Sequence, residues 1–93
     1  AEEVAFDLLI GEDTGVRAQT IRALASRRTP GWLKIMSNSL LDEEYVIKRA
    51  ALDGLLGDPA QGIKALRKFV SEHPADPITS LALAELKSRG ITQ

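Results

Sequence analysis

The sequence predicts an all-α chain of six helices in three antiparallel pairs, stacked as an α-solenoid. Three observations predict it. The stretch Val16 to Leu24, V-R-A-Q-T-I-R-A-L, returns as Ile47 to Leu55, I-K-R-A-A-L-D-G-L, and again as Ile78 to Leu86, I-T-S-L-A-L-A-E-L, each 31 residues after the last. A fixed period of this size marks a repeat architecture, in which each unit buries its apolar face only by stacking on its neighbours. Second, the apolar or small positions are Val16, Thr20, Ile21 and Leu24, then Ile47, Ala51, Leu52 and Leu55, then Ile78, Ala82, Leu83 and Leu86. Offsets of 0, 4, 5 and 8 share one stripe of a 3.6-residue helix and do not fit the alternation of a half-buried strand. Third, an acid precedes every copy: Asp13 with Thr14, Asp42 before Glu43 and Glu44, and Asp76 before Pro77. Such residues cap helix starts and suit the positive end of the helix dipole, a structural role that needs no catalytic reading.

Taken in order, residues Glu2 to Ile10 carry Val4, Phe6, Leu8 and Leu9 on a short helix that Gly11 ends. The first repeated helix follows from about Asp13 to Arg28. Thr29-Pro30-Gly31 reads as a cap-then-proline start to a helix carrying Trp32, Leu33, Ile35, Met36, Leu40 and Leu41. The second repeated helix spans about Glu43 to Leu56 and stops at Gly57. Asp58-Pro59 opens a helix with Ile63, Leu66, Phe69 and Val70 at helical spacing, closed by His73-Pro74 because the residue before proline is pushed out of the α region. The last repeated helix ends near Gly90, leaving Ile91 to Gln93 as a frayed tail. The small residues Thr20, Ala51 and Ala82 predict close approach between neighbouring helices. The repeats are approximately 1–28, 29–57 and 58–90, in a single domain 1–93 that fits equally as a piece of a longer array.

Ninety-three residues suffice for one modest core. Twelve Lys and Arg against thirteen Asp and Glu, evenly spread, argue against the basic footprint that nucleic acid or an anionic membrane requires. The absence of cysteine excludes a disulfide framework and thiolate metal sites. No apolar run approaches the length of a membrane span. Ala1 is compatible with a removed initiator Met, a cleaved leader or a boundary inside a longer chain, and the compartment defaults to the cytoplasm.

No constellation carries identifiable chemistry, so no catalytic residue, cofactor or metal is expected. His73 is the only histidine, which removes two-histidine metal motifs, and it sits at a helix end where a cation is commonly placed. Ser26, Ser37, Ser39, Ser80 and Thr79 lack a histidine at motif spacing and a nucleophile elbow. Gly54, Gly57 and Gly62 follow no strand and precede no Lys-Ser/Thr, so they read as close packing and a helix stop rather than a phosphate loop. Trp32 reads as a core filler. Two basic clusters, Arg27, Arg28 and Lys34, then Lys64, Arg67 and Lys68, lack interleaved aromatics and read as solvated faces.

The pattern resembles the HEAT-like repeats of the short bacterial type, whose unit ends its first helix in a Leu pair and continues with an acidic turn, Val-Arg, then Ala and Ala-Leu. Leu9-Ile10, Asp13, Val16-Arg17 and Ala23-Leu24 match in the first repeat, and Leu40-Leu41, Asp42, Glu44, Ile47-Lys48, Ala51 and Gly54-Leu55 in the second. The third keeps Asp76, Ile78, Ala82 and Leu86, with Thr79 in the basic position and Glu85 in a small one. Gly57 to Val70 with Pro74 also resembles the second helix of a tetratricopeptide repeat, but a period of 31 rather than 34 favours the first likeness. The HEAT-like resemblance implies a right-handed solenoid whose second helices line a concave binding side. On it, Arg22, Arg49 and Asp53 would face away from the apolar stripe, with Arg17 and Lys48 stacked near the turn end. It implies a non-catalytic protein-binding or scaffold module with another protein as partner. The alternatives are an accessory subunit of a HEAT-like lyase, which needs a chromophore pocket, and a HEAT-like nucleic-acid module, which needs a basic concave face. Apolar residues on the terminal helices, Val4, Phe6, Leu8 and Leu9 at one end and Ile78, Leu81, Leu83 and Leu86 at the other, predict association with another copy, a partner or further repeats, preferentially through the C-terminal end.

Overall fold

The computed structural model describes residues 13–91, which form five α-helices and, among the described residues, no strand. They are α1 (Thr14–Arg27), α2 (Trp32–Ser39), α3 (Tyr45–Leu56), α4 (Gln61–Glu72) and α5 (Pro77–Ser88). The expected helix over Glu2 to Ile10 lies outside the described residues. The three repeated stretches are α1, α3 and α5. Helix α3 touches all four others, α2 and α4 touch each other, and α1 and α5 flank α3.

The helix starts show how the acids act. Asp13 Oδ1 accepts from the Val16 N–H (2.9 Å) and Asp76 Oδ1 from the Ile78 N–H (3.0 Å), with Pro77 supplying the preset φ of a first turn. Asp42 and Asp58 each sit two residues before the N-cap, Glu44 and Ala60 respectively, rather than at it. Asp42 takes the Glu44 N–H (2.8 Å), and Asp58 takes those of Ala60 and Gln61 (3.0 and 2.9 Å). These carboxylates close side-chain turns in front of the helices, which is why α3 begins at Tyr45 rather than Glu43. Thr29 makes no side-chain cap: α2 starts from Gly31 at φ 80°, with the Trp32 N–H on the Thr29 carbonyl (2.8 Å). Leu40 and Leu41 fall after its last turn.

Two helix ends differ from expectation. Ile91 is no frayed residue: its N–H donates to the Leu86 carbonyl (2.8 Å) and the Gly90 N–H to Lys87 (3.0 Å), while Gly90 takes φ 77°. That is a Schellman closure, and it folds Ile91 against the core. Helix α1 closes the same way, Thr29 N–H to Leu24 and Arg28 N–H to Ala25, except that Arg28 occupies the left-handed position at φ 52°. A side chain there costs about 1 kcal/mol relative to glycine.

The core is continuous from Ala18 to Leu86. The stripe holds completely in the middle helix, where Ile47, Ala51, Leu52 and Leu55 are fully buried. At the flanks it is rotated: Val16 and Leu83 are each 39% exposed, and Ala18 and Ala25 are buried in α1 instead. Among the described residues, α1 and α5 each pack on α3 alone of the repeated helices, whereas α3 packs on both. Trp32 is buried as a filler. The glycines mark close approach: a Cβ at Gly54 would stand 2.7 Å from Ala25 Cβ, and one at Gly62 would stand 2.1 Å from the Leu55 carbonyl oxygen. Gly57 caps α3.

Candidate functional site

The five residues expected on the binding side fall into separate groups of ion pairs, and each is paired within the chain. The groups form two tiers. In the turn-end tier, the basic residue of one repeat reaches the turn acid of the next. Arg17 Nη2 donates to Asp42 Oδ2 (2.7 Å) and Lys48 Nζ to Asp76 Oδ2 (2.7 Å), with Lys48 also on the Leu40 carbonyl (2.8 Å). Each acid thus has one oxygen on a backbone N–H and the other on a cation. Lys48 has a side chain only 9% exposed and offers no surface to a partner; Arg17 is half-buried, and its Nε is buried without a hydrogen-bond partner among the described residues. In the third repeat Thr79 replaces the cation. Its hydroxyl turns inward onto the His73 carbonyl (2.6 Å), so this tier stops there.

Electrostatics follow the geometry. Burial disfavours the charged form of Asp76, but the hydrogen bond from Lys48, the Ile78 N–H and the Lys48 and His73 charges outweigh it and hold its carboxyl below the ordinary 3.8. At Asp42 burial is likewise outweighed, by the Glu44 N–H, the Arg17 hydrogen bond and the Arg17 and Lys48 charges, and its pKa is also lowered.

The second tier is the exposed face of the repeated helices. Arg22 pairs with Asp53, 31 residues on, and Asp53 also accepts from Arg49 Nε (3.1 Å). Arg49 reaches Glu85 (3.5 Å), and Glu85 receives Arg89 (3.9 Å). The row Arg22, Asp53, Arg49, Glu85, Arg89 therefore crosses α1, α3 and α5 with alternating sign. Glu85, a departure from the repeat pattern, is what extends it to the last helix.

Beside Arg22 and Asp53 lies an open groove of about 400 Å³, lined by Ala25, Ser26, Arg28, Gly54 and Gly57 as well as those two. The small residues that let α1 and α3 approach leave its floor shallow. Arg28 forms its end wall through contacts that the sequence does not reveal: Nε to Asp58 Oδ2 (3.2 Å), Nη2 to the Gly57 carbonyl (3.0 Å), Nη1 to the Ala25 carbonyl, and the guanidinium 4.6 Å over the Trp32 ring. These contacts hold its unusual backbone conformation. What could have signalled them is the sign alternation at one period, as with Arg22 and Asp53. Nothing signals the left-handed Arg28, because that position usually carries glycine.

Chemically, the face can exchange ion pairs and hydrogen bonds with a bound group. Among the described residues, no three His, Cys, Asp or Glu side chains are grouped to hold a metal ion. None of the described helices is long and apolar enough to cross a membrane. The fold and the face together define the class: an all-helical chain of repeated, ion-paired helices. No family model, curated protein or solved structure matches the chain.

Proposed function

We propose that the chain is a non-catalytic protein-interaction module, a right-handed α-solenoid similar to the HEAT-like repeats, whose repeated helices hold a charged face toward a protein partner. The observation that carries this reading is the row from Arg22 to Arg89 across three successive helices. Its side chains are 26% to 50% exposed, so a partner can reach them, yet each is held by its neighbour. Groups already fixed lose less rotamer freedom on binding, which is about 0.5–1.5 kcal/mol for each flexible side chain otherwise ordered. Arg22, Arg49 and Asp53 are the binding residues in this reading. Arg17 and Lys48 support them by holding successive repeats in register.

Site-specific photocrosslinking in cells expressing the chain tests it. A benzophenone side chain at Ser26, in the groove, should capture a discrete protein other than a second copy of the chain, less of it when Arg22→Gln is added, while the same probe at Asn38 on α2 should not capture that protein. No capture at Ser26, or capture indifferent to Arg22→Gln, overturns the assignment of this face.

A further inference from the structure

We infer that the chain has a second docking surface, separate from the charged row, by which it binds another copy of itself head to tail. One half is the corner between α2 and α3. Leu41, Tyr45 and Val46 are 53%, 49% and 49% exposed, the three most exposed large apolar side chains among the described residues, and they lie within six positions of the sequence. Apolar surface concentrated in this way marks an interaction site more often than scattered exposure does. Between them stand Glu43 and Glu44, both exposed and in no ion pair among the described residues; Asp42 is already engaged by Arg17.

The other half is on α4. Lys64, Arg67 and Lys68 are exposed, follow the i, i+3, i+4 spacing of one helix flank, and form no ion pair among the described residues. Asp13, Arg27, Lys34, Glu72 and Lys87 are also in no ion pair among the described residues, but no two of these lie within one helical turn of each other in sequence. The corner acids and the α4 bases are the unpaired charges that cluster by sign, and the two clusters complement each other.

Charge chooses the mode. Two corners facing each other in a two-fold dimer would crowd Glu43 and Glu44 of both copies, whereas corner against α4 brings opposite charges together. The aliphatic stems of Lys64, Arg67 and Lys68 can cover Leu41 and Val46, and a guanidinium such as that of Arg67 suits the face of the Tyr45 ring. The contact is small, so it is weak, and being head to tail it builds a ring of three or more copies or an open filament rather than stopping at two copies. It uses no residue of the charged row, so it stands or falls apart from the function proposed above.

Sedimentation equilibrium over roughly 10 µM to 1 mM tests it, a range suited to small interfaces. Wild type should show a mass that climbs with concentration without a plateau at two copies, and association weakened roughly tenfold by high salt. A corner variant (Glu43→Gln, Glu44→Gln, Tyr45→Ser) and an α4 variant (Lys64→Gln, Lys68→Gln) should each be monomeric, with unchanged helical circular dichroism. Mixed, they retain one intact contact and should stop at a one-to-one dimer. A monomeric wild type at all concentrations overturns the proposal. An α4 variant that associates like wild type overturns it as well, in favour of a corner-to-corner dimer.

Discussion

Alanine at Gly62 and alanine at Gly15 should move stability in opposite directions. A Cβ at Gly62 would lie 2.1 Å from the Leu55 carbonyl oxygen, 3.0 Å from its carbon and 2.9 Å from Asp58 Cβ. A carbon and a carbonyl oxygen rest at about 3.3 Å or more, so the start of α4 must retreat from the end of α3 by about 1 Å. The obstacle is backbone, which cannot swing aside as a side-chain end can. Overpacking of this kind costs about 1–3 kcal/mol, and the better helix propensity of alanine returns about 0.5–1 kcal/mol. The net loss centres on about 1 kcal/mol, or roughly 4–8 °C in Tm for a chain of this size. At Gly15 the new Cβ meets only Asp13 Oδ1 at 3.4 Å, an ordinary contact, so Gly15→Ala should raise stability by about 0.5 kcal/mol. Urea and thermal unfolding followed by circular dichroism measure both. Gly62→Ala as stable as wild type, or more so, would refute the close approach of α3 and α4.

Leu52→Ala, in the fully buried middle of α3, should cost about 2–5 kcal/mol, and Leu83→Ala under about 1 kcal/mol, in urea melts. Lys48→Met leaves the Leu40 carbonyl and one oxygen of Asp76 without their donor, and should cost about 2–4 kcal/mol in the same assay; a neutral result would remove Lys48 from the register. Arg28→Ala keeps the left-handed backbone but loses every side-chain contact, so Arg28→Gly should be the more stable of the two by about 1 kcal/mol. Because the folded carboxyls of Asp42 and Asp76 titrate below their unfolded value of 3.8, their contribution is present above that value and is lost as pH falls through the lower folded one. Tm should therefore drop on acidification below about pH 4, less steeply in Asp76→Asn. An equal slope in that variant would dissociate the loss from this pair.

What was legible in the sequence was whatever repeats. The 31-residue period placed α1, α3 and α5, and identified Arg17, Lys48, Arg22 and Asp53 as equivalent positions on neighbouring helices. It could not say that Asp42 and Asp76 divide their two oxygens between a backbone N–H and a cation, since a cap signal concerns only the helix that follows. The rotation of α1 and α5 that exposes Val16 and Leu83 depends on how each helix packs against its neighbours, which a per-helix stripe does not contain. Arg28 in a glycine conformation is a tertiary effect, held by Asp58, Gly57 and Trp32 from the next repeat and turn. Ile91 reads as tail from sequence because only three residues follow Gly90, although a glycine two positions past a helix followed by an apolar residue is also the pattern of a Schellman closure.

Helix α3 is the one on which the others are stacked, and it holds the charged face rigid where Arg49 and Asp53 stand. Native-state hydrogen exchange resolved by residue tests this most directly. Such stacking predicts the slowest amides in α3, with Leu52, Asp53 and Leu55 opening only by global unfolding, and progressively faster exchange toward the outer faces of α1 and α5. Exchange in α3 as fast as in α5 would contradict it.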